Sequence, residues 1–201
     1  MDDATLESTP IPITINTIET VIPFGPIVEN TELYACVGDA SVSLEAVGEM
    51  TGTDSLLTTM VDNNGAQSNM FALTALQQTT ITDFAMNLDG GTATNIDVYY
   101  RTDNYLTVPG ANSSGAGWLL VGNATNVTTS ATTYTDIPVG VNLTIPQGET
   151  YSFHIAVEGV GVNYTNGAGL GNVFAANASL EFLEGHGGGG LFDCNFAPRV
   201  W

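Results

Sequence analysis

The side chains with which this chain could carry out a reaction are few: two histidines, two cysteines, two arginines, no lysine and 21 carboxylates. Nucleophilic catalysis needs a nucleophile held beside a base, and glycoside hydrolysis needs two carboxylates at a set separation. His154 alternates with apolar neighbours and reads as a surface histidine on the polar face of a strand. His186 stands in Gly185-His186-Gly187-Gly188-Gly189-Gly190, a run too flexible to hold a base within reach of a partner. There is no Gly-x-Ser-x-Gly elbow, no zinc-type His/Cys spacing and no lysine-bearing phosphate loop. The expectation is a protein that is not an enzyme and has no cofactor other than a candidate Ca²⁺. A hydrolase working through carboxylates from distant strands is the weakest reading.

Binding chemistry is better represented. Asp62, Asn63 and Asn64 open the run Asp62–Asn69, which offers a carboxylate, amide oxygens and a turn glycine, the hard donors that Ca²⁺ prefers. It lacks the spacing and closing Glu of an EF-hand, and a plain Asx-rich turn explains it equally well. Six Asn-x-Ser/Thr sequons occur, at Asn112, Asn123, Asn126, Asn142, Asn163 and Asn177. Asn142, Asn123 and Asn163 are the candidate glycosylation sites among them. Trp118, Tyr99, Tyr105 and Tyr164 would form a sugar-stacking platform if exposed, and otherwise pack in the core. Arg101 and Arg199, the only cations, are expected to be partly buried in bidentate carboxylate pairs. Cys36 and Cys194, near opposite ends, either pair in a disulfide or remain buried thiols. A bridge would close a loop of about 160 residues, worth about 3–5 kcal/mol in the chain-entropy model.

The bulk composition narrows the setting. A net charge of −19 leaves two arginines to meet phosphates, which argues against nucleic acid and anionic membranes as partners. Charged residues make up only 11% of the chain while 43% is hydrophobic, so the carboxylates form a thin coat over a protein with ample core. The 27 Thr, 17 Asn and 23 Gly that supply the remaining surface are the palette of a secreted β protein. No apolar stretch is long enough for a membrane-spanning helix. Met1–Glu7 lacks the basic start and apolar stretch of a signal peptide, so Met1 reads as an expression start or a mature end.

These residues must be positioned by strands, because no window sustains helical periodicity. Tyr151, Phe153, Ile155 and Val157 alternate with polar residues. Two further alternating runs, Asp83–Leu88 and Ile96–Arg101, flank Asp89-Gly90-Gly91-Thr92 and predict a hairpin. Ser41–Val47, Ser55–Val61, Met70–Thr74, Trp118–Val121, Val141–Ile145 and Ser179–Leu183 are the other expected strands. The fold class is all-β, a two-sheet antiparallel sandwich of jelly-roll type with an extended N-terminal arm. The arm is residues 1–30 and the single sandwich domain is residues 31–201. Prolines at 10, 12, 23 and 26 keep the arm out of a central ladder, while Ile11, Ile13, Ile15, Ile18, Val21 and Ile22 make it apolar. It is expected either to form edge strands on its own domain or to add to a neighbouring subunit.

From about Met60 onward the chain carries Asn63-Asn64-Gly65, Asn69-Met70-Phe71, Val98-Tyr99-Tyr100-Arg101, Gly117-Trp118, Ile145-Pro146-Gln147-Gly148 and Pro198-Arg199-Val200-Trp201. In this order they resemble secreted β-sandwich modules of large bacterial cell-surface and extracellular proteins. The resemblance implies an extracellular or cell-surface location and no particular reaction. It also implies a further strand after the tryptophan; where that strand is missing an edge is open, with the arm as a candidate to fill it, in its own subunit or the next. The leading expectation is a non-enzymatic structural protein whose partner is itself, polymerising into a filament or surface layer by strand exchange. The alternative is a carbohydrate- or surface-binding adhesion module, calcium-dependent, with glycans as partners.

Overall fold

The computed structural model describes residues 54–61 and 64–201. The arm and Cys36 lie outside the described residues, as do Asp62 and Asn63. Leu56–Trp201 forms one compact unit. Its strands are β1 (Asn64–Ala66), β2 (Ser68–Ala75), β3 (Thr79–Ile81), β4 (Phe84–Met86), β5 (Gly91–Arg101), β6 (Leu119–Thr129) and β7 (Thr135–Ile137). They continue as β8 (Leu143–Ile145), β9 (Thr150–Glu158), β10 (Val162–Asn166), β11 (Val173–Ala176), β12 (Leu180–Gly188) and β13 (Phe196–Val200). The described residues contain no α-helix, only one 3-10 turn at Tyr105–Thr107, and no helix long and apolar enough to cross a membrane.

Every pairing is antiparallel. The main sheet runs β1, β10, β13, β12, β2, β9, β5, β6, with β11 also on β12; β3 pairs with β8, and β4 with β7. On one face Phe71, Leu73, Phe153, Ile155, Val157, Ile96 and Val98 form the larger core with Ile81, Met86, Ile137 and Ile145 of the short strands. Phe84 of β4 closes it, its ring 5.6 Å from Phe71 and 5.0 Å from Phe153. Offset and edge-to-face ring pairs of this kind add about 0.5–1.5 kcal/mol each beyond the area they bury.

Several expected elements fall elsewhere. The hairpin does not form: β4 pairs with β7, Phe84 opposite Ile137, while β5 pairs with β6 and β9. The Asp-Gly-Gly connection instead links strands of different sheets, because Met86 is buried and Phe84 half-buried against residues far along the chain. Ser55–Val61 is not a strand; Leu56 packs at the core, Thr58 donates to the Trp201 carbonyl, and Met60 accepts from Asn87 Nδ2. The Val141–Ile145 strand is shortened to β8 because Asn142 takes a left-handed conformation, φ 49°. β13, which ends at Val200, is flanked by β10 and β12.

Candidate functional site

Antiparallel register brings four residues from four strands into one row. Tyr99 of β5 lies opposite His154 of β9, His154 opposite Met70 of β2, and Met70 opposite His186 of β12. The row lies on the face of the sheet remote from Phe71 and Phe153, since successive strand residues point to opposite faces. Two long connections cover it. The one between β5 and β6 supplies Tyr105, Ala111 and Trp118; the one between β12 and β13 supplies Phe192 and Cys194. A second core results, so β9 is buried on both faces.

His154 is therefore 0% exposed, which overturns its reading as a surface histidine. A single strand's periodicity reports that one face is apolar but carries no information on what lands upon the other. Its ring is fixed by two backbone groups: Nδ1 lies 2.8 Å from the Asn69 carbonyl, and Nε2 lies 3.2 Å from the Phe192 amide. A carbonyl only accepts and an amide only donates, so the imidazole is the neutral Nδ1–H tautomer. Burial lowers its pKa to about 4, with the Asn69 hydrogen bond acting the other way.

His186 likewise departs from expectation. The glycine run around it is ordered as the end of β12, and its Nδ1 sits 2.8 Å from the Tyr105 hydroxyl, which is also 3.1 Å from the Met70 carbonyl. Burial lowers the His186 pKa and raises that of Tyr105. Ser152 ties the same connection down, its hydroxyl donating to the Asp103 carbonyl at 2.7 Å and accepting from the Tyr105 amide at 2.9 Å. The two connections are joined to each other where Asn112 and Cys194 exchange bonds of 2.9 and 3.0 Å.

Cys194 Sγ lies 3.9 Å from His154 Nδ1 and 3.3 Å from Ser68 Oγ, an arrangement with the outline of a thiol–imidazole dyad. Its chemistry does not match. A nucleophilic cysteine needs its thiolate stabilised, usually by an imidazolium. Here burial first, and then Asp193, push the thiol pKa up to about 11, despite the opposing hydrogen bond from Ser68. The His154 Nδ1 proton is already given to Asn69, leaving no lone pair on that nitrogen to take the thiol proton. Two neutral groups result, and their arrangement serves cohesion. The signal that would have located this cluster, the pairing of four strands, is not present in any one stretch of sequence.

The other proposed residues are dispersed. Asn64 is exposed at the start of β1, opposite Tyr164. Among the described residues no three His, Cys, Asp or Glu side chains are grouped to hold a metal. Asn123 and Asn142 are exposed, whereas Asn163 is buried and donates to Asn87 Oδ1 at 3.4 Å. Of the four aromatics, Trp118, Tyr105 and Tyr164 are buried and Tyr99 half-buried, so they pack in the protein. Arg101 meets expectation: it is buried, its Nε and Nη2 grip both oxygens of Asp103, and its guanidinium lies 5.5 Å from the Trp118 ring. Arg199 does not. It donates to the Pro198 carbonyl and stacks 5.0 Å from the Tyr164 ring, and among the described residues the only ion pair is Arg101–Asp103. The π face and a carbonyl stand in place of a carboxylate, while its Nε is buried without a hydrogen-bond partner among the described residues. A shallow depression of about 450 Å³ lined by Gln67, Asp89, Gly90, Gly159, Val160 and Gly161 carries one carboxylate and no histidine.

The surface feature that the sequence left unplaced is β6. It is 11 residues long, hydrogen-bonds to β5 on one side, and has no strand on its other side among the described residues. It contains no charged residue and no proline, and Leu119 and Leu120 are 54% and 55% exposed. Natural edge strands usually carry charges or proline that discourage pairing with another chain. Comparison of the chain with protein-family models, curated proteins and solved structures finds no match.

Proposed function

We propose that this chain is a non-enzymatic extracellular structural protein, a jelly-roll-like two-sheet sandwich that polymerises into a filament or surface layer by β-strand exchange. The observation that carries the reading is the uncharged, eleven-residue edge of β6. On a chain of net charge −19, a long edge strand without a carboxylate puts no charge of its own in the way of a second copy. The resemblance to secreted surface modules and the scarcity of cations agree with a location outside the cell. The adhesion-module alternative receives less support, because the aromatics it would need at a glycan face are packed inside. Negative-stain microscopy of the purified chain tests the reading. Filaments or sheets that disappear when residues 1–30 are removed are the expected outcome; dispersed particles at all salt concentrations would refute it.

A further inference from the structure

We infer that Ile13–Ile22 of one copy adds as a strand alongside β6 of the next copy, so that β6 is the acceptor of the polymer. This rests on the strand-exchange reading and specifies its partner surfaces. Three observations lead to it. The first is length. Between Pro12 and Pro23 the arm has ten residues that can each donate a backbone N–H, matching the eleven of β6, whereas the other strands with a single partner among the described residues, β1, β3, β4, β7, β8 and β11, have three or four. The second is charge. Ile13–Ile22 carries a single acidic residue, Glu19, and β6 carries none, so pairing them places only one carboxylate along the contact of a −19 chain.

The third is pattern. The arm alternates as Ile13, Ile15, Thr17 and then resumes one residue out of step as Ile18, Thr20, Ile22. In a regular ladder a one-residue slip sends the remaining side chains to the opposite face. β6 itself is irregular, with a bulge where Val98 pairs with Gly122 but Tyr99 pairs with Leu120, and with Asn126 left-handed at φ 56°. A donor that changes step suits an acceptor that changes step, and both reject a flat strand of uniform alternation.

The test uses the full chain with a photo-crosslinking phenylalanine analogue at position 15, mixed as isotopically heavy and light copies and irradiated after polymerisation. The expected result is mixed-isotope cross-links that map to 119–129, together with at least a tenfold rise in the concentration needed for polymer in the variant Leu119→Glu/Leu120→Glu, whose circular dichroism stays that of the parent. Polymer with cross-links elsewhere, with same-isotope cross-links only, or with none would overturn the β6 assignment and leave strand exchange standing. A chain that never polymerises would overturn both.

Discussion

β9 and β6 are two long strands of one sheet that treat their side chains in opposite ways. β9 keeps a histidine at 0% exposure, while β6 holds two successive leucines more than half exposed. The reason is position. β9 is hydrogen-bonded on both sides and covered on both faces, so a polar side chain there is tolerated only with its hydrogen bonds complete, as those of His154 are. β6 has one partner among the described residues, and nothing in its own sequence tells an approaching strand to stay away. The hydrophobic character of a strand is thus set by its neighbours as much as by its residues.

The largest effects should come from the two faces of β9. Phe153→Ala and Trp118→Ala, one for each core, should each cost about 3–5 kcal/mol in urea unfolding. If Trp118→Ala were tolerated, the second face would be a loose covering and the contrast with β6 would weaken. Acid comes next. His154 has a folded-state pKa of about 4, below its unfolded value of about 6.5. Its contribution is therefore complete above about pH 6.5 and is lost as the pH falls through 4, to a total of about 3 kcal/mol. Stability measured from pH 7 to 4 should fall in the parent and fall less steeply in His154→Gln. Parallel slopes would mean that the imidazole does not carry the acid sensitivity.

Arg199→Ala should cost about 1 kcal/mol, reflecting the loss of its stacking on Tyr164 and its bond to the Pro198 carbonyl. High salt should leave that figure unchanged, since no carboxylate is involved. At the small end, Leu120→Thr on β6 should alter unfolding by no more than about 0.5 kcal/mol, as is usual for an exposed site. An effect of several kcal/mol would show that β6 is buried in the monomer and would erase the comparison.

How much of this was legible in the sequence follows from the range of each interaction. The alternation of Phe153, Ile155 and Val157 reports local geometry, and it gave the strand and its apolar face correctly. The burial of His154 depends on connections that begin about 40 residues away in both directions, and no periodicity within β9 encodes them. The bidentate grip of Arg101 on Asp103 was foreseeable because the partners are two residues apart. The stacking of Arg199 on Tyr164 was not, since it needs the pairing of β10 with β13. The composition of β6 was equally plain, but its place at an edge is a property of strand order.

The central claim is that copies of this chain join through surfaces from which charge is missing. Sedimentation of the full chain at rising NaCl tests it most directly, because screening removes repulsion between carboxylate-coated bodies while leaving an apolar strand contact intact. The account predicts a shift from monomer to large polymer as salt increases, with Leu119→Glu/Leu120→Glu remaining monomeric over the same range. A parent chain that sediments as a monomer throughout, or polymer that dissolves as salt is added, would contradict it.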